Sequence, residues 1–318
     1  MANNDAPKTL LEAVKYFDDA DVAHSFVASL RFPNGIAKCP RCESERNSFL
    51  STRRLWKCLD CKKQFSVKVG TIFEDSPISL QKWLPAMWLL VNAKNGISSY
   101  ELARAIGVTQ KTAWFMLHRI RLAMKTKSFT KMGGDVEADE TYIGGKALNM
   151  HVEKRKRVIK GTGRSGKAAV MGLLQRGTDE SHSTVRAVVS KSVRKPAVQR
   201  HVRDNVEKGA TLHTDQMLSY VGLGNDYIHN VINHVERYVS GQVHTNGMEN
   251  FWSLLKRSLS GTYVSVEPFH LMSYVDEQCF RFNRRKLDDG GRFVLAAASI
   301  FGRRITYKAL TGQMEPRT

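Results

Sequence analysis

The chain has 318 residues, 42% of them hydrophobic, and a formal net charge of +19 from 49 lysines and arginines against 30 aspartates and glutamates. That length allows one large domain or two to three small ones, and that apolar content builds an ordinary core, which excludes a chain disordered by composition. No run of about 18 apolar residues occurs, which argues against a membrane span, while so large a basic excess points to a polyanion as partner.

Met1 to Lys8 lack the apolar stretch of a secretory leader. Four of the five cysteines are clustered, unlike the spread of a secreted disulfide scaffold. The chain is expected to be cytoplasmic. Residues 8–32 carry apolar positions at helical spacing, first Leu10, Leu11, Val14 and Phe17, then again from Ser25 to Phe32.

Residues 36–75 change character. Cys39-Pro-Arg-Cys42 and Cys58-Leu-Asp-Cys61 form two Cys-x-x-Cys knuckles separated by fifteen residues. Each knuckle aims two thiolates at one ion from a tight turn, and two knuckles complete a tetrahedral site with no open position, so the predicted zinc is structural. Arg53, Arg54, Lys57, Lys62 and Lys63 crowd the second knuckle and suit phosphate contact. Cys279, among Val275, Phe280 and Phe282, reads as a plain buried thiol.

Residues 79–126 return to helix in three stretches, separated by Asn95-Gly96 and Gly107. The last two predict a helix-turn-helix, with Ser98 or Ser99 and then Thr109 as caps, Leu102, Ala103 and Ile106 as the buried face, and Gly107 at the turn. The start of its second helix, Gln110, Lys111 and Thr112, is where such a helix meets DNA. A helical hairpin without that role has the same periodicity.

From Gly134 strands and helices alternate. Strands are expected near 135–143, 167–176, 182–190, 210–215 and 227–236, and helices near 193–208, 247–260 and 268–284. The first strand puts Asp135, Glu137 and Asp139 on one face, and charges in a central strand are costly unless they bind something. Asp215 closes another strand, where ligand sites of open α/β sheets gather. Glu249 opens the long helix, with Trp252 or Ser253 and Lys256 along one side. Lys154 to Lys167 hold seven lysines and arginines and no acid, which fits a solvated loop or a clamp on a DNA backbone.

At this point the sequence resembles the IS1595-family (ISXO2-like) insertion-sequence transposases over nearly its whole length. The resemblance rests on the zinc-ribbon start, Val136-Glu-Ala-Asp-Glu-Thr-Tyr-Ile-Gly-Gly-Lys146, His213-Thr-Asp-Gln-Met-Leu-Ser-Tyr220, Val243-His-Thr-Asn-Gly-Met-Glu-Asn-Phe-Trp-Ser-Leu-Leu-Lys-Arg257 and the close from Tyr274 to Arg285. It implies an α/β fold in which an RNase H-like catalytic domain, a mixed sheet with helices, follows a zinc ribbon and a helix-turn-helix. It also implies metal ligands at Asp139 and Asp215, with magnesium as the catalytic cofactor. The third position stays open between Glu249 and the neighbouring Asn246 and Asn250, with Glu249 favoured because a carboxylate adds anionic pull and Lys256 follows it by seven residues. The expected partners are double-stranded DNA at the element's terminal inverted repeats and at the target, and further copies of the chain on that DNA. A nucleoid-associated bacterial protein is implied. The expected domains are 1–75, 76–130 and 131–286, with 287–318 as a tail. A non-catalytic DNA-binding regulator and a nuclease of the same fold are the competing readings.

Overall fold

The computed structural model describes residues 7–125, 130–145, 151–158, 166–232 and 244–313. The chain divides into two units, one built from residues 1–125 together with 287–318, the other from residues 126–286.

The first unit opens with α1 (Leu10–Phe17) and α2 (Ala20–Arg31), capped by the side chains of Thr9 and Asp19. In α1 the buried residues are Ala13 and Phe17, while Leu10, Leu11 and Val14 are exposed. The helix is therefore turned away from the face expected of it, because the aromatic at its end outweighs the smaller aliphatics in apolar area. A small antiparallel meander follows, β1 (Asn47–Leu50), β2 (Leu55–Cys58) and β3 (Gln64–Phe65). Then come α3 (Leu80–Asn92), α4 (Ser99–Ile106) and α5 (Gln110–Met124). A reciprocal cap between Ser98 and Glu101 starts α4, and Gly107, with φ of 61°, ends it in the left-handed region. Thr109 then caps α5 through the Thr112 amide.

The second unit is a five-stranded sheet covered on both faces. Its strands are β4 (Asp135–Ile143), β5 (Ala168–Gln175), β6 (Thr184–Ser190), β7 (Thr211–Asp215) and β8 (Ile228–Ile232), in the order β6-β5-β4-β7-β8. The pairs β6-β5 and β5-β4 are antiparallel, whereas β4-β7 and β7-β8 are parallel. The sheet is thus mixed, with β4 central. Its helices are α6 (Val152–Val158), α7 (Lys195–Asn205), α8 (Asn246–Arg257) and α9 (Leu271–Asn283). On one face Val136, Ala138 and Leu212 pack with Val198 and Val202 of α7; on the other, Val170, Leu174 and Val185 pack with Phe251 and Leu255 of α8 and Val275 of α9. Helices α7, α8 and α9 each bury a stripe against a sheet face, a three-layer solution to covering a sheet on both sides. Residues 159–165 of the basic run and 233–236 of the last expected strand lie outside the described residues.

The stretch from 287, expected as a tail, contains α10 (Asp289–Ala298) and α11 (Tyr307–Leu310) and belongs to the first unit. Phe293 of α10 is fully buried among Phe17, Phe26 and Trp88, with ring centroids 5.1 to 5.6 Å away. Two glycines at the start of α10 hide the signal in the sequence, because they weaken helix propensity.

Candidate active site and zinc centre

The two cysteine knuckles have the same backbone construction. The Cys39 amide donates to the Ser44 carbonyl and the Cys58 amide to the Lys63 carbonyl, both at 2.9 Å. The residue after each second cysteine, Glu43 and Lys62, adopts positive φ, 59° and 60°. The ligand atoms of Cys39, Cys42, Cys58 and Cys61 lie within 4.8 Å of one another, with Sγ–Sγ distances of 3.6 Å for Cys39–Cys61 and for Cys42–Cys58. A tetrahedron with metal–sulfur bonds of about 2.3 Å has edges of about 3.8 Å, so the four sulfurs fit zinc. Backbone amides of Cys61 and Asp60 point at the Cys58 sulfur and draw its thiol down to about 6, favouring the thiolate that binds metal. The expected outcome for Cys58→Ser is loss of about one zinc per chain together with unfolding of the meander. Metal analysis with limited proteolysis checks this, and a variant that keeps both zinc and protease resistance refutes it. Of the basic residues beside the knuckle, Arg54 is held by Asp21 at 2.5 Å, while Arg53, Lys57, Lys62 and Lys63 are exposed.

In the second unit, the Asp135, Glu137 and Asp139 face of β4 is the one that α8 crosses. The Met248 amide donates to Glu137 Oε2 at 2.9 Å, and the Trp252 indole Nε1 donates to Asp139 Oδ2 at 2.9 Å. Two glycines permit that approach. A Cβ on Gly172, which pairs with Asp139, would lie 2.3 Å from Met248 Cε, and one on Gly247 would lie 2.9 Å from Glu137 Oε2.

Asp215 closes β7, where its Oδ1 accepts from the Met217 amide at 3.0 Å. Strand β7 runs parallel to β4 with Asp135 against Thr211 and Glu137 against His213, where the pairing ends; Asp139 and Asp215 each follow two residues on. Residues at such paired positions project from the same face of the sheet. Glu249 is exposed in the first turn of α8. Burial raises the Asp139 carboxyl to about 6; the charges of Asp215 and Glu249 push the same way, while the Glu140 amide and the Trp252 indole oppose them. Two acids, one from the parallel neighbour of the central strand and one from a covering helix, therefore act on the carboxyl of that strand. Their oxygens are more widely spaced than the sulfurs: among the described residues only the four cysteines bring three or more donor atoms within 4.8 Å.

The ISXO2-like transposase domain matches residues 131–283, and the transposase zinc-ribbon domain matches residues 18–64. The chain is also 29% identical over 259 residues to an uncharacterised protein in the transposable element ISH50 of Halobacterium salinarum, spanning 78% of this chain and 85% of that protein. The chain belongs to the IS1595 family of transposases. Its cysteine cluster is the zinc centre of the family's ribbon domain.

Within this IS1595-family chain the remaining expected site residues fall as follows. Lys256 is exposed in the last turn of α8, on the same side of the helix as Glu249. Asn246 and Asn250 are exposed on α8 as well. In the first unit, Gln110 Nε2 donates to Ser99 Oγ at 2.8 Å, and the Thr112 and Thr109 hydroxyls lie 2.9 Å apart. Lys111 Nζ stands 4.9 Å over the Tyr307 ring. Gln110 and Thr112 are thus tied into the helix pair, and Lys111 is the most exposed of the three. Cys279 is buried, and burial pushes its thiol well up, as a plain core cysteine requires. Among the described residues no helix is long and apolar enough to cross a membrane.

Sequence reasoning missed the clamp that seats α8. Glu137 is 1% exposed and pairs with Arg176 Nε at 2.8 Å. The Arg176 guanidinium also donates to the His244 carbonyl at 2.6 Å, and His244 Nδ1 lies 3.5 Å from Glu137. One buried carboxylate therefore holds both the entry to α8 and its first turn, where an anion meets the positive end of the helix dipole. The available signal was Glu137 itself, a third acid on one face of β4, where a buried charge is costly without a partner.

Proposed function

We propose that this chain binds the ends of its insertion sequence, cuts them and joins them to target DNA, using Asp139, Asp215 and Glu249 on an RNase H-like core. The observation that carries this reading is that α8 lies against the Asp139 face of β4, with Trp252 bonded to Asp139, while Asp215 closes the adjacent parallel strand; burial, with the charges of Asp215 and Glu249, raises the Asp139 carboxyl accordingly. Acids that hinder one another's ionisation gain when a cation joins them, and a set of hard carboxylate oxygens suits magnesium. The sheet order, three antiparallel strands continued by two parallel ones with the two aspartates on the adjacent strands β4 and β7, supports the RNase H-like assignment.

Helix geometry favours Glu249 as the third acid. Trp252 points at Asp139, and each residue of an α-helix turns about 100°. Glu249 then lies about 60° from Trp252 around the axis and Lys256 about 40°, against about 120° for Asn246 and about 160° for Asn250.

Magnesium held by the three acids would promote ionisation of the attacking hydroxyl and neutralise the leaving oxygen. The protein's own part is positional. Trp252 fixes one Asp139 oxygen, the Met217 amide fixes one of Asp215, and Glu137 fixes the helix that carries Glu249. Lys256 would hold a DNA phosphate beside them, so that water first, and then the freed 3′-hydroxyl, meets the scissile phosphorus in line.

Labelled duplex bearing the element's terminal repeat, incubated with the protein, magnesium and supercoiled target, tests the reading. Both 3′-end cleavage and joined product are expected. Cleavage without joining would mark a nuclease, and neither would mark a DNA-binding regulator.

The first unit is assigned end recognition, with α4 and α5 as a helix-turn-helix. The expected outcome for Lys111→Ala is weaker binding, with a salt dependence lower by about one phosphate contact, checked by titrating affinity against salt concentration. Unchanged affinity at every salt concentration would remove Lys111 from the interface.

A further inference from the structure

Helix α8 does not simply stop at Arg257. It continues as a π-helix over Ser258–Tyr263 and then turns on Val264, whose φ and ψ are 61° and −56°. The Ser265 amide donates to the Tyr263 carbonyl at 2.6 Å, closing a γ-turn of the rare positive-φ kind. A β-branched residue is an outlier there, and such strain persists only where the surroundings impose it.

The surroundings do impose it. Tyr263 donates its hydroxyl to Glu277 Oε1 at 2.5 Å, and its ring meets Tyr274 with centroids 4.7 Å apart. Glu277, fully buried, also takes the Arg281 guanidinium, which reaches Gln278, and Gln278 in turn meets the Ser258 hydroxyl. This buried network on α9 grips both ends of the π-helix. The result is that Val264, an apolar side chain, stands 78% exposed.

It stands at a pocket of about 400 Å³, bounded by Tyr142, Gly144 and Gly145 at the end of β4, by Lys256 and Leu259, and by Val264 to Val266. Lys256 lies about one helix turn past Trp252, the residue bonded to Asp139. An apolar pocket with one cation on its wall therefore opens next to the proposed cleavage centre, with a rigidly held aliphatic at its rim.

We infer that this pocket receives a base unstacked from the DNA end beside the scissile phosphate, with Val264 filling the gap in the stack and Lys256 meeting the displaced nucleotide's phosphate. Apolar side chains wedged between base steps are a recurrent means of unstacking a duplex, and an extruded base is held in a snug pocket beside the strand. The inference rests on the DNA-cleaving reading of Asp139, Asp215 and Glu249.

The test places 2-aminopurine, in turn, at each of the last few pairs of the terminal-repeat duplex. Fluorescence is read in complex with the full-length protein, with calcium replacing magnesium so that binding is seen without cleavage. One position is expected to brighten several-fold with the wild type and to lose most of that rise with Val264→Gly. Glycine accepts positive φ, so the variant should melt no lower than the wild type, which separates loss of the wedge from loss of fold. In magnesium, Val264→Gly should cut the paired end at least about tenfold more slowly, and a mismatch at the bright position should restore the rate. No bright position in the wild-type complex, a rise unchanged in Val264→Gly, or binding of free mononucleotide with no effect on DNA would each overturn the inference. Cleavage by the wild type in the same preparation keeps the underlying reading intact in those cases. Absence of all cleavage would instead sink that reading.

Discussion

Asp139→Asn should abolish cleavage and joining, lowering the rate at least about a thousandfold, while end binding stays near normal. The amide keeps the shape of the carboxyl but can accept from only one of its two donors, the Trp252 indole and the Glu140 amide, and it is a poor ligand for a hard cation. The same substitution should stabilise the protein in the absence of added magnesium. The folded-state carboxyl, at about 6, stands above an unfolded aspartate, so its burial costs nothing below about pH 4 and costs more as pH rises through about 6. Asp139→Asn should therefore melt higher than the wild type at pH 7.5, by at most on the order of 3 kcal/mol, with the difference fading toward pH 4. Thermal melts across that range check the sign, and a variant less stable at pH 7.5 would contradict it.

The second large effect concerns stability. Glu137→Gln removes the negative charge opposite Arg176, leaving a guanidinium of low exposure with its His244 contacts but with no carboxylate to balance it. Breaking a buried pair from one side costs about 3–5 kcal/mol. Removing both charges costs less, so Glu137→Gln with Arg176→Met should recover much of the loss. Denaturant melts of the two single variants and the double variant measure the coupling. Because Glu137 also seats α8, the single variant should lose cleavage more steeply than it loses DNA binding. Additive effects at the two positions would show that the pair does not act as a unit.

Several features were readable because the sequence carries them locally. The cysteine spacing is a property of two short turns, and the β4 alternation needs only a period of two. The parallel register that pairs β4 with β7, two residues short of Asp139 and Asp215, is different, since nothing local in either strand specifies an offset between them. Gly172 and Gly247 read as ordinary strand and helix-start residues until α8 is laid over the sheet. The face of α1 was misjudged because three aliphatics outnumber Phe17, yet Phe17 joins an aromatic cluster assembled from Phe26, Trp88 and Phe293, far apart in the chain. The same cluster explains why residues beyond 287 return to the first unit. The bonding of Gln110 and Thr112 within the helix pair also escaped notice, because capping and DNA contact draw on the same polar residue types.

We propose that Asp139 and Asp215 form one cation-dependent phosphoryl-transfer centre with an acid from α8. Single-turnover 3′-end cleavage of terminal-repeat DNA by Asp215→Asn tests it most directly, measured beside the affinity for the same DNA. Cleavage at least about a thousandfold slower in magnesium is expected, with unchanged or tighter binding and partial recovery in manganese. Near-normal cleavage by Asp215→Asn would contradict it.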